Sequence, residues 1–431
     1  MRALSTLLHR WVGLFIAAFL FVAAVTGTII AWDSEIDRLL NPHLFRASGT
    51  GPAIPPEELA RRVEAAYPQV RVTYLPMHVP PGQAQPIFVT PKVDPATGRR
   101  HELGWNQLFL DPATGAEIGR REWGRIWPVT RETVVSFLYK LHYSLHIPEM
   151  GGIDHWGDWL MGGIAILWAL DCFVGFYLTL PPKPRQSRGR SLSVRWRRWA
   201  PAWKVKAGAS AYRLNFDIHR AFSLWTWGLL FILAFTSFTL NLHREIFYPL
   251  LTSFAETTPS AYDSRTPRKG GDGAVDMAAV AALARAEGQR RGWEAPLGAI
   301  SYSTAYGLYN PRFYGPDGDH GPGLGPPRLY IDDMTGAVVG DYVPGTGTAA
   351  DTFVQLQFPL HSGRILGVPG RILVSVMGIV IAALSVTGAV IWYRKRSARV
   401  ASVRRRGIRA GGRDMDESGA GERGADGIPV A

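Results

Sequence analysis

Four apolar runs stand out against polar flanks: Trp11 to Trp32, Trp159 to Leu180, Ala221 to Leu242 and Ile372 to Tyr393. Each is long enough to cross a hydrocarbon core of roughly 30 Å as a helix. Only the second carries a charge, Asp171. The first is expected to be a retained anchor, because its apolar core exceeds the ~7–15 residues of a signal peptide and no clear small-x-small site precedes Trp32. Between the runs the periodicity changes. PPEELARRVEAAYPQ, from Pro55, has Pro and Glu in its first turn and apolar residues at helical spacing, Leu59, Val63 and Ala66. VRVTYLPM, PIFVTPK and WNQLFLD follow as strands separated by Pro and Gly, and Asp111 to Gly115 reads as a tight turn. VDMAAVAALARAEGQ, GAISYST and RLYIDD, with a turn at Asp332 to Gly336, predict the same small unit again. The Gly- and Pro-rich stretch Tyr314 to Pro327 is expected to be an insertion or mobile loop.

The repetition is general. STLLHRWVGLFIAAFLFVAAVTGTII aligns with NFDIHRAFSLWTWGLLFILAFTSFTL, placing His9-Arg10 on His219-Arg220. LFLDPATGAEIG aligns with LYIDDMTGAVVG, and SLHIPEMGGIDHWGDWLMGG with PLHSGRILGVPGRILVSVMG, placing His146 on His361. Each half is therefore helix, outer domain, helix in one orientation, which predicts a pseudo-twofold axis along the membrane normal and a site where the halves meet. Phe216 to Arg244 is expected to be one membrane helix with a histidine at each face, since the 24 residues from His219 to His243 span about 36 Å at 1.5 Å each.

Charge sets the orientation. The net charge is +12, but ten Lys or Arg against one acidic residue fall in Pro181 to Asp217, and Arg394 to Arg413 is again basic, while Asp33, Glu35 and Asp37 follow the first run. By the positive-inside rule both termini and the basic linker are cytoplasmic. The basic excess is thus a topology signal, and no nucleic-acid partner is expected. An anionic membrane lipid or an acidic electron-donor protein is the partner chemistry that this face suits. The lone cysteine, Cys172, excludes disulfides and thiolate zinc sites, and no C-x-x-C-H is present for covalent haem attachment.

The LHR before the first run, the helix and strand-turn ending in D-x-x-TG, the LH before the next run and the repetition of all three resemble the PepSY-associated transmembrane proteins, often called iron-regulated membrane proteins. The resemblance covers nearly the whole chain up to Arg396. It implies an α+β membrane protein of the bacterial inner membrane. Its four-transmembrane-helix core comes from two parallel repeats, each with a periplasmic PepSY-like helix-plus-antiparallel-sheet domain. The implied activity is that of a ferric-siderophore reductase with two b haems, an unidentified cytoplasmic electron donor and a periplasmic ferric siderophore as acceptor. No glycine-rich nucleotide fingerprint follows a strand, so a fused flavin reductase module is not expected. The expected order is 1–32, first span with cytoplasmic N-terminus; 33–132, first periplasmic domain; 133–180, periplasmic helix and second span; 181–217, basic linker. It continues with 218–243, third span; 244–347, second periplasmic domain; 348–393, periplasmic helix and fourth span; 394–431, basic disordered tail.

A bis-imidazole haem needs two neutral histidines from different helices with their other ring nitrogens held by acceptors. The repeat pairs His9 with His219 and His146 with His361, with Arg10 and Arg220 placed for haem propionates and the small Gly13 and Ser223 one turn on. The outer set is open: His142 is one helical turn from His146 but aligns with Gln357, and His243 aligns with Asp33, so His243 is an alternative ligand or faces substrate. Asp171 either bonds to a ligating histidine or serves in proton transfer, or else bonds to Thr26, Thr236, Ser237 or Thr387 as a structural acid. His155 is expected in an aromatic belt, and His43, His78, His101 and His320 on the surface. Tyr302, Tyr306, Tyr309, Phe313 and Tyr314 form an aromatic stretch that either contacts a bulky ligand or, as expected here, packs in a sheet core. The competing function is a haem-free membrane protein whose PepSY units bind peptides or regulate a partner enzyme.

Overall fold

The computed structural model describes residues 1–182, 192–268, 273–315 and 321–421. His320, residues 183–191 of the expected linker, 316–320 of the expected loop and 422–431 of the tail lie outside it. In chain order the elements are α1 (Arg2–Ile30), α2 (Asp33–Leu40), α3 (Pro42–Phe45), α4 (Pro56–Ala66), β1 (Val70–Pro76), β2 (Gln85–Pro91), β3 (Gln107–Leu110), β4 (Glu117–Arg121), α5 (Val134–Ser144) and α6 (Trp156–Thr179). They continue with α7 (Leu192–Trp199), α8 (Ala211–Trp225), α9 (Trp227–Asn241), α10 (Tyr248–Thr252), α11 (Met277–Arg290), β5 (Leu297–Ser303), β6 (Leu308–Phe313), β7 (Arg328–Asp332), β8 (Val338–Tyr342), α12 (Ala349–Ser362) and α13 (Val368–Gly421).

Among these, α1, α6 and the Val368–Ser402 part of α13 are long and apolar enough to cross a membrane, and α8 with α9, taken together, is a fourth candidate, either a broken span or a re-entrant loop. The third apolar run is thus not one helix. It bends by 71° at Thr226, where the Thr226 hydroxyl donates to Phe222 O at 2.7 Å. The backbone there leaves helical geometry, at φ −108° and ψ 8°. Back-bonding of a threonine favours a bend, but the same bond at Thr26, Thr236 and Thr387 leaves their helices continuous, so the break is marked by the Thr226 dihedrals, with Gly228 just beyond. The straight-helix distance between His219 and His243 therefore does not apply. Residues 394–421, expected to be disordered, continue α13, since extending a formed helix adds a backbone bond per residue without a new nucleus.

The fold divides into two compact units. One comprises Met1–Phe21, Leu170–Trp227 and Val380–Ala431. Its helices are tied by polar contacts to backbone: Arg2 donates to Leu178 O and Leu180 O at 2.7 and 3.0 Å, Asn215 to Thr387 O at 3.1 Å and the Trp227 indole to Cys172 O at 2.9 Å.

The other unit comprises Val22–Ala169 and Gly228–Ile379 and holds all eight strands. The two repeats, expected as separate outer domains, share one antiparallel sheet of order β4-β3-β2-β1-β5-β6-β7-β8. The seam is β1 against β5, with Tyr74 opposite Ser301 and Leu75 opposite Ile300. Two four-stranded units would each leave an unpaired edge, and pairing those edges satisfies both rows of backbone groups. One core serves both repeats: Leu59, Ala60 and Val63 of α4 and Val280, Ala281 and Ala284 of α11 pack with Val70, Ile87, Leu108, Ile300, Leu329 and Ile331. Tyr302, Tyr309 and Phe313 are in it as expected, the two tyrosines stacked at 4.2 Å, while Tyr306 packs edge-on to Tyr262 outside it. Both D-x-x-TG turns form. Asp111 accepts from the amides of Ala113 and Thr114, Asp332 from those of Met334 and Thr335, and Gly115 and Gly336 take the positive φ of 76° and 72°.

Candidate functional site

Four helices of the first unit each bring one polar side chain to the same place. His9 of α1 and His219 of α8 face each other with ring centroids 6.3 Å apart. Behind His9, its Nδ1 lies 2.9 and 3.0 Å from the two carboxylate oxygens of Asp171 on α6. Behind His219, Nδ1 lies 3.0 Å from Thr387 Oγ1 on α13. Gly388 lets backbone approach closely, since a Cβ there would stand 3.2 Å from His219 Cε1, whereas one on Gly175 would meet His9 Cε1 at an ordinary 3.4 Å.

The second unit repeats the arrangement with other elements. His142 of α5 and His361 of α12 face each other at 6.1 Å. His142 Nδ1 lies 2.9 Å from Ala23 O and 3.2 Å from Thr26 Oγ1, both on α1, and His361 Nδ1 lies 3.1 Å from Thr236 Oγ1 on α9. Gly27 is packed tightly against His142, since a Cβ there would fall 2.8 Å from Cε1. Burial pushes both imidazoles down from 6.5, His361 to about 3 with His142 beside it as the second cause. Both are neutral at ordinary pH, which is the metal-binding form.

The hydrogen bonds fix the tautomers. The hydroxyls of Thr26, Thr236 and Thr387 donate to Val22 O, Ile232 O and Ala383 O, at 2.7, 2.7 and 2.8 Å. Their oxygens are therefore left to accept, as the Asp171 carboxylate and the Ala23 carbonyl also accept. All four Nδ1 atoms must then be N–H, and all four Nε2 atoms carry a lone pair. Among the described residues no Nε2 of the four has a hydrogen-bond partner. Two nitrogens each about 2 Å from a shared metal put the imidazole centres roughly 6 Å apart. Aromatic rings in plain contact also lie at such distances; the untethered Nε2 atoms are the groups a metal would engage. Among the described residues no group of three or more His, Cys, Asp or Glu could hold a bare metal ion. A two-nitrogen donor set suits a metal that brings its remaining ligands with it, as haem iron does.

The expected outer pairing is not the one brought together. α5 ends at Ser144, and Leu145 and His146 both take φ of 54°, which turns the chain back. His146 then stacks on Phe137 at 4.5 Å and bonds through Nε2 to Phe137 O at 2.8 Å, with its Nδ1 buried and unpartnered. His142, one turn earlier, takes the place opposite His361. Its repeat counterpart Gln357 is buried and accepts from the Thr239 hydroxyl at 2.9 Å. His243 opens a five-residue π-helical turn, His243–Phe247, and stacks on Tyr248 at 5.5 Å. Its ring contacts are with Phe247 and Tyr248.

Arg10 forms no hydrogen bond or ion pair among the described residues and is half-buried. Arg220 is committed to Asp217 Oδ1 at 2.8 Å and Pro201 O at 2.9 Å. Gly13 faces Asp171 Oδ2, and the Ser223 hydroxyl donates back to His219 O. His155 lies beside Asp154 and Asp158, and its side chain is 58% exposed. Asp171 bonds to His9, and the threonines weighed as its partners stand behind the other imidazoles instead. A signal for two of them was in the sequence: the register that puts His9 on His219 also puts Thr26 on Thr236.

The family whose description is PepSY-associated TM region matches residues 6–395. No curated protein matches the chain.

Proposed function

Because the chain belongs to the PepSY-associated TM region family, we propose that this membrane protein binds two b haems and reduces a ferric chelate with electrons from a cytoplasmic donor. His9 and His219 would hold one haem through Nε2, and His142 and His361 the other. When bound, haem supplies a one-electron ferric–ferrous couple. The observation that carries the reading is the set of four lone-pair Nε2 atoms, in two facing pairs, with every Nδ1 tethered.

The chain's own residues do the rest. Asp171, Thr387, Thr26 with Ala23, and Thr236 hold the rings in one tautomer and one rotation, the role that partners behind a metal-bound histidine play elsewhere. Overall, one reduced donor and one Fe(III) chelate become one oxidised donor and one Fe(II) with its chelator. Ferrous iron is held less firmly by hard oxygen ligands, so the chelator releases it. A ferric siderophore in the periplasm is the acceptor that this chemistry fits. The bacterial inner membrane, with both termini cytoplasmic, is the corresponding location.

A visible spectrum of the purified protein tests the reading. A Soret band that shifts on dithionite, with two haems per chain, is expected. Absence of a Soret band after haem supplementation refutes it and leaves the haem-free, peptide-binding reading.

A further inference from the structure

The two centres are built alike except for one acceptor. His219, His142 and His361 each direct Nδ1–H at neutral oxygens, of Thr387, of Ala23 and Thr26, and of Thr236. His9 directs it at a carboxylate, with both oxygens of Asp171 within 3.0 Å. We propose that Asp171 is a positioning residue that sets the direction of electron flow, by making the His9–His219 centre the lower-potential one and the His142–His361 centre the higher. The inference rests on reading both pairs as haem sites.

Hydrogen-bonding an imidazole N–H to a carboxylate makes the other nitrogen more basic, and a more basic ligand favours ferric over ferrous iron. The negative charge acts in the same sense, because the oxidised state is the more positive of the two. In this position the charge is barely screened. The Asp171 side chain is 12% exposed, and its one ion-pair partner among the described residues is His9. Asp217, in the same unit, shows the contrast: it is 1% exposed but lies between Arg213 and Arg220, at 3.0 and 2.8 Å. One carboxylate is neutralised by two guanidiniums, while the other presents its charge to an imidazole. No Asp or Glu bonds to His142 or His361 among the described residues. Hydrogen bonding behind an axial ligand is one of the protein's recognised means of tuning a haem.

The test is a reductive titration of the haem-loaded protein in detergent, followed by its visible spectrum. The wild type should titrate in two resolved steps. Asp171→Asn, which keeps an acceptor for Nδ1–H but removes the charge, should raise the lower step by at least tenfold in its equilibrium constant, about 59 mV for one electron, and leave the upper step in place. His219→Ala, which destroys that centre whatever Asp171 does, should remove the lower step and keep the upper. Unresolved steps in the wild type, an unmoved lower step in Asp171→Asn with both haems retained, or loss of the upper step in His219→Ala each overturn the proposal. A protein that binds no haem refutes the functional reading instead, so the two failures are told apart by the spectrum before titration begins.

Discussion

If the two histidine pairs hold haem as proposed, replacing Gly27 by alanine should weaken binding at one centre and leave the fold intact. An added Cβ would stand 2.8 Å from His142 Cε1 and 3.3 Å from its Nδ1. Carbon atoms pack at about 3.5–4.0 Å, so the ring must retreat by roughly 0.7 Å or more. The bond from His142 to Ala23 O, 2.9 Å long, would then stretch to about 3.6 Å, where it no longer counts as a hydrogen bond. Overpacking of this size costs about 1–3 kcal/mol. If that cost falls on the bound state, haem affinity drops roughly 5- to 160-fold. The helix itself gains from the change, because alanine is favoured over glycine in a helix interior by about 1 kcal/mol. The assay is haem per chain by pyridine haemochrome, with the rate of haem transfer to an excess of apomyoglobin. Gly175→Ala is the control: its Cβ would meet His9 Cε1 at 3.4 Å, an ordinary contact, and both haems should be retained. Two haems with an unchanged release rate in Gly27→Ala would refute the close packing on which the reasoning depends.

Exchange of the two outer candidates separates the geometry from the repeat alignment: His142→Ala should hold one haem and His146→Ala two, and the reverse result in the same haemochrome assay would refute the His142–His361 pair. The sheet should show acid sensitivity traceable to Asp332. Burial opposes its charge, but the Arg265 guanidinium and the Thr335 and Met334 groups that bond to it prevail and hold its carboxyl at about 2, against 3.8 unfolded. A depressed native value means that its contribution to stability is complete above about pH 3.8 and is lost as the pH falls through about 2. Thermal unfolding followed by circular dichroism from pH 5 to pH 2 should therefore be less steep in Asp332→Asn than in the wild type.

Much of the architecture is local and so was legible. The Asp111 and Asp332 turns follow from an Asp that caps its own backbone and a Gly that tolerates positive φ, and the α4 and α11 helices from spacing and first-turn residues. The facing of His9 and His219 was accessible because the repeat register aligned them. What was hidden depends on geometry that no periodicity encodes. Two left-handed residues, Leu145 and His146, decide which of two histidines one turn apart reaches His361. The third apolar run breaks at Thr226, where the backbone leaves helical geometry. The contact of Asp171 with His9 joins residues 162 positions apart, and the merging of two sheets depends on the facing edges of β1 and β5, which look like any other strands in sequence.

That merging has a consequence for how the chain is made. Tyr74 waits for Ser301, about 230 residues later, and at ~5–20 residues per second of synthesis the interval is roughly 10 to 45 s. Throughout it, β1 is an open template of backbone donors and acceptors, competent to pair with any passing strand. The first half made alone therefore presents a strand edge that the intact chain covers. Half-chains should be aggregation-prone where the whole is not, and biogenesis of the intact chain favours chaperones that shield a strand edge until its partner emerges.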